Sequence, residues 1–114
     1  MNNHYLKNIE FEAALSLPDL VAYQSGQVVS RTLVQNRAVS ITLFAFDENE
    51  EISSHASTGD AIITVLEGAA RITIGDNQYR VIQGQTIVMP ADIAHAVAAD
   101  SRFKMQLTVV FPPQ

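Results

Sequence analysis

Short runs of apolar and β-branched residues, broken at regular intervals by turn residues, dominate the chain from residue 27 onward. Ala38 to Phe46 alternates Val39, Ile41, Leu43 and Ala45 with Ser40, Thr42 and Phe44, the two-residue period of a strand. Ala61 to Leu66 is a compact apolar run closed by Glu67-Gly68, and Ala69 to Ile74 ends at Gly75-Asp76-Asn77, a strong hairpin signal. Gln78 to Ile82 runs into Gln83-Gly84-Gln85, and Thr86 to Met89 stops at Pro90-Ala91-Asp92. Ala94 to Ala98 stops near Asp100-Ser101, and Phe103 to Phe111 is ended by Pro112-Pro113. In this last run Phe103, Met105, Leu107 and Val109 share one face, expected to be the inner one, which leaves Gln106 outside. Of Tyr79 and Arg80, Tyr79 is the residue expected to turn inward.

Strands of this length at a spacing of roughly 8–12 residues, with turns between them, signal a sandwich or barrel. Helical periodicity is poor from 26 to 111, and a parallel sheet would need crossover helices for which there is no room. The expectation is one all-β domain, a closed or nearly closed antiparallel barrel. Gln27 to Val34 reads as its first clear strand. Before it, Glu10 to Leu20 fits either a strand or a turn of helix with Pro18 at its first position. The organisation expected is an N-terminal arm with the first strand or strands over 1–26 and the barrel over 27–114. The arm lies across the barrel or pairs with a neighbouring subunit.

The length of 114 residues suits one hydrophobic core, and an apolar fraction of 47% makes disorder a poor description. There are no cysteines, which removes disulfides, thiolate metal sites and cysteine nucleophiles together. Seven Lys and Arg against twelve Asp and Glu give a formal charge of −5, a field that repels nucleic-acid phosphates and anionic lipid. No apolar stretch approaches the ~20 residues that span a bilayer. Met1 to Lys7 lacks a basic region followed by an apolar core, so the expected location is the cytoplasm. A small apolar barrel with an arm is expected to form a homodimer.

Of the three histidines, His4 lies near the terminus, whereas His55 and His95 each stand beside a turn at strand-like positions. In an antiparallel barrel two such positions can face one interior point. Around them the chain resembles the cupin superfamily. Gly84, Pro90, Asp92 and His95 follow the spacing of the second cupin motif, with Asp92 and Ala99 standing where that motif usually has Gly and Asn. The first motif is echoed by His55-Ala56-Ser57-Thr58-Gly59-Asp60-Ala61 and the run to Gly68, in which Val65-Leu66-Glu67-Gly68 is similar to a cupin hairpin turn. The similarity runs from about Val39 to Val110, and is closest to the small single-domain cupins.

The resemblance implies a cupin-type barrel (double-stranded β-helix, or jelly roll) around a small-molecule pocket. It implies a divalent transition metal (zinc, nickel, copper, iron or manganese), with His55 and His95 in the first and last ligand positions. Ser57 and Ala61 occupy the second-histidine and glutamate positions, so half the usual set is missing. Asp60 is the nearby carboxylate, but alternation turns it away from Ala61 and His55 unless a bulge intervenes. The pocket expected holds Ser57, Ala61, Ile63, Met89 and Met105 besides the histidines, although for both methionines ordinary core packing competes with ligand contact. If the protein is an enzyme, the resemblance implies metal-dependent oxygenase, isomerase or lyase chemistry. The alternatives are a ligand-binding or sensing module with a degenerate, metal-free pocket, and a barrel serving mainly in assembly. Asp60 and Asp92 read better as turn residues than as catalytic groups.

Overall fold

Nine strands carry the chain in a computed structural model that describes residues 4–113. Residues 1–3 and 114, parts of the sequence-based arm, leader and barrel readings, lie outside the described span. The strands are β1 (Val28–Gln35), β2 (Val39–Phe46), β3 (Glu51–His55), β4 (Asp60–Glu67), β5 (Ala69–Ile74), β6 (Asn77–Ile82), β7 (Thr86–Met89), β8 (His95–Ala98) and β9 (Phe103–Val110). They form two facing antiparallel sheets, β1-β2-β9-β4-β7 and β3-β8-β5-β6. The hydrogen-bonded ladders thus make two sheets rather than one closed ring, and the barrel is flattened. Eight strands follow the apolar runs of the sequence; β3 does not, because Glu51, Ser53 and Ser54 leave it little apolar signature.

Between the sheets lies a core of Phe46, Ala61, Ile63, Val65, Ile72, Val97, Phe103 and Met105, among others. Phe46 and Phe103 stack with ring centroids 4.5 Å apart, and each is wholly buried. β9 presents Phe103, Met105 and Val109 to this core, with Leu107 packed against it. β2 is buried on both faces: Phe44 and Phe46 point inward, whereas Leu43 and Ala45 belong to a second cluster on the outside of the same sheet. Tyr79 pairs with Ile72 on the core-facing side, but on the edge strand β6 it stays 44% exposed.

The N-terminal segment explains the second cluster. Among the described residues it contains no strand before Val28, only a 3-10 turn at Leu17–Leu20 with Pro18 near its start. Ile9, Leu17, Leu20, Val21 and Tyr23 pack over Leu33, Leu43 and Ala45, so the arm lies across the barrel's outer face. Lys104 is on that face too; it is 9% exposed, and its ammonium donates to the Pro18 carbonyl at 2.7 Å. The same ammonium stands 4.8 Å from the centre of the Tyr23 ring, whose hydroxyl donates to Glu67. Burial, and then Glu67, raise the Tyr23 hydroxyl pKa above its ordinary value. At the arm's start Lys7 N–H donates to the Leu33 carbonyl, partly covering the β1 edge. No helix of the described chain is long and apolar enough to cross a membrane.

Candidate functional site

β3 ends and β8 begins at the same end of the barrel, and there His55 lies directly opposite His95. A bulge places it so. Ile52 pairs with Val97 and His55 with His95, so β3 spends three residues where β8 spends two. Three residues of regular strand would send position 55 to the face opposite Ile52; the bulge absorbs one of them, and His55 joins the inner face. His95 shares that face with Val97 and continues across the sheet to Ile74 and Asn77.

The two rings meet edge to face, with centroids 4.4 Å apart and planes inclined by 67°. Each is held in the same manner. His55 Nδ1 lies 2.9 Å from the Ser53 carbonyl, and His95 Nδ1 lies 3.2 Å from the Ile93 carbonyl. A carbonyl can only accept, so in the neutral rings Nδ1 carries the proton and Nε2 keeps its lone pair. His55 is exposed and His95 is buried. Burial lowers the His95 pKa; the Ile93 carbonyl opposes that shift, and the neighbouring His55 adds to it. His95 is thus held as a neutral acceptor.

The other expected site residues take different places. Ser57 is half-buried in the loop after β3, where its hydroxyl accepts the Gly59 N–H at 3.1 Å and its carbonyl accepts the Asp92 N–H at 2.7 Å. Ala61 and Met89 pair across β4 and β7 and are 2% and 1% exposed. Ile63 and Met105 are fully enclosed in the core, with no surface left for direct ligand contact. Asp60 faces outward, since β4 pairs without a register shift from Asp60 to Val65, and its carboxylate accepts the Ala91 N–H at 2.9 Å. Asp92 adopts a left-handed φ of 65°. Asp60, at the start of β4, and the Asp92 backbone, within the turn, thus tie the segment before β8 to the stretch from Ser57 to Asp60.

The donor set decides which metal centre these residues can build. Ser57 spends its hydroxyl oxygen on the turn, Ala61 offers a methyl group, and Asp60 points away. Among the described residues no group of three or more His, Asp or Glu side chains is placed to hold an ion. Two imidazoles fall short of the three protein ligands of a catalytic zinc, and lack the carboxylate of a two-histidine iron centre. The residues do not fit such a centre. What they do form is a pair of facing imidazoles, each with Nδ1 directed to a carbonyl and Nε2 turned away from it. The Ser53 and Ile93 carbonyls that orient them were beyond sequence reasoning, since any residue could supply them.

Comparison with known proteins agrees with this architecture. The cupin domain family matches residues 42–111, more than half of the chain. A conserved protein of unknown function from Streptococcus pyogenes has a crystal structure that superposes with a TM-score of 0.95 at 48% identity, covering 97% of both chains. A cupin superfamily protein from Desulfitobacterium hafniense superposes with a TM-score of 0.89 at 34% identity, over 94% of this chain and 98% of the other. An uncharacterized protein of Streptomyces coelicolor is 30% identical over 81 residues, 71% of this chain and 77% of its own length. With the barrel, the motif order and these matches in agreement, the chain belongs to the cupin family.

Proposed function

We propose that this protein binds a small organic ligand at the open end of its barrel, with His55 and His95 as the polar anchors. The observation that carries this is the shared orientation of the two rings: each ties Nδ1–H to a carbonyl two residues back and leaves Nε2 unshared. Such a pair receives hydroxyl or N–H donors of a ligand. Neutral His95 suits this role, because an imidazolium can only donate.

A second use of the same lone pairs is a divalent transition ion held by two imidazoles and completed by water or by the ligand. Ring orientation favours it, and the missing donors at Ser57 and Ala61 make it weak. The homodimer is proposed as well. Ile41, Thr108, Ile62 and Val88 form an uncharged cross-strand row on the outer face of the five-stranded sheet, with Val88 and the nearby Val110 more than half exposed.

The test is thermal denaturation against a panel of small oxygen- and nitrogen-bearing ligands, with and without zinc, nickel or copper, in wild type, His55→Ala and His95→Ala. A ligand at a hundred times its Kd stabilises by about 2.7 kcal/mol. The proposal expects that gain in wild type and its loss in both variants. Ligands that stabilise all three proteins alike overturn it. Stabilisation that requires the metal selects the ion-bridged form.

A further inference from the structure

On the outer face of the four-stranded sheet, away from the histidines, Arg71 on β5 and Arg80 on β6 are directly paired across the strands. Directly opposed residues of an antiparallel pair bring their Cβ atoms within about 5.5 Å, and like charges there repel. A hairpin joined by a two-residue turn gives neither side chain freedom to change face. Asp100 relieves only one of them. Its carboxylate takes Nε and Nη2 of Arg71 at 3.2–3.3 Å, and Nη1 has no hydrogen-bond partner among the described residues. Arg80 is exposed and has no ion-pair partner among the described residues. Gln78 shares the face of Arg80, paired with Thr73.

These residues surround a cleft of about 250 Å³ lined by Arg71, Gln78, Tyr79, Arg80 and Asp100. Two cations and one anion make that lining net positive, in a chain whose formal charge is −5. Guanidinium groups are planar forks of N–H donors, matched to the paired oxygens of phosphoryl and carboxylate groups. Asp100 already satisfies that geometry at one fork, and a ligand oxyanion can do so at the other.

We propose that Arg71 and Arg80 form a second binding site, for a small ligand bearing a phosphoryl or carboxylate group, on the sheet face remote from the histidine mouth. Arg80 is its principal contact, Arg71 Nη1 and the Gln78 amide complete it, and the Asp100 carboxylate competes with the ligand. The competition separates a binding site from a merely structural ion pair. For an ion pair, Asp100→Asn is a loss; for an anion site, it is a gain in affinity.

The experiment is a two-dimensional NMR titration of the full chain with inorganic phosphate, and in a parallel arm with citrate, at constant ionic strength held by chloride. Saturable shifts at millimolar anion are expected for residues of β5 and β6. Arg80→Gln should weaken them by about tenfold, the loss of one charge-assisted contact, and Asp100→Asn should strengthen them severalfold. The phosphate and citrate arms show which oxyanion is preferred. The same shifts should persist in His95→Ala, which keeps this result separate from that at the histidine mouth. Shifts that do not saturate, that are unchanged in Arg80→Gln, or that weaken in Asp100→Asn overturn the proposal. An unaltered amide fingerprint in the anion-free variants verifies that each is folded.

Discussion

His55 and His95 face each other from adjacent strands with ring centroids 4.4 Å apart, and each ring hangs from the carbonyl two residues before it. The symmetry has unequal consequences. One ring is at the surface and the other is buried, so protonation is costlier for His95 than for an imidazole in water.

Stability should therefore fall as the pH drops through the ordinary imidazole range. The folded-state pKa of His95 is lowered from 6.5, so below that value the unfolded chain takes up a proton that the folded chain refuses. No penalty exists above the unfolded pKa, and it grows until the lowered folded pKa is reached. Denaturant midpoints measured from pH 7.5 downward should decline, and His95→Gln should flatten that part of the profile. A decline that is identical in the variant would assign the effect to other groups.

The bulge in β3 should be separable from the fold. Deleting Ser54 gives a two-for-two register between Ile52 and Val97, in which plain alternation keeps the histidine on the inner face opposite His95. Proton contacts between the two imidazole rings should persist in NMR spectra, as should those of the stacked Phe46 and Phe103; loss of the imidazole contacts alone would show that the bulge itself sets the ring geometry.

Gly59 is required by packing. A Cβ there would lie 2.5 Å from the Val110 carbonyl oxygen and 2.9 Å from Val109 Cγ1, and the former is backbone with little freedom to retreat. Gly59→Ala should cost about 1–3 kcal/mol, the usual range for overpacking, read from urea denaturation.

The arm should loosen when its buried cation is removed. Lys104→Met keeps an apolar stem and deletes the ammonium that donates to Pro18 and lies over Tyr23. A hydrogen bond from a charged donor is worth about 1.5–3 kcal/mol, and the loss should appear as faster chymotryptic cleavage in the arm, after Leu20 and Tyr23, before the barrel is attacked.

In solution the protein should behave as a dimer by light scattering at micromolar concentration. Val88→Lys places a charge in the uncharged row on the five-stranded sheet and should shift the mass toward the monomer without altering the fold. A monomeric wild type would refute the assembly.

The amino-acid sequence by itself determined where most strands run and which two histidines matter as candidates. Turn chemistry such as Gly75-Asp76 and Pro112-Pro113 is local, and so is the two-residue period of β9; both are legible one segment at a time. The spacing from Gly84 to His95 is local in the same sense. What tertiary structure decided depends on partners distant in the chain. β3 is a strand because β8 lies beside it, and its bulge, which brings His55 inside, leaves no mark among Glu51, Ser53 and Ser54. The run Ile41, Leu43 and Ala45 reads as a core face, and most of it lies outside beneath the arm, since Phe44 and Phe46 take the interior. Lys104 is buried only because residues 17–23 fold over it. Periodicity specifies that a face is apolar; only the folded chain decides what covers it.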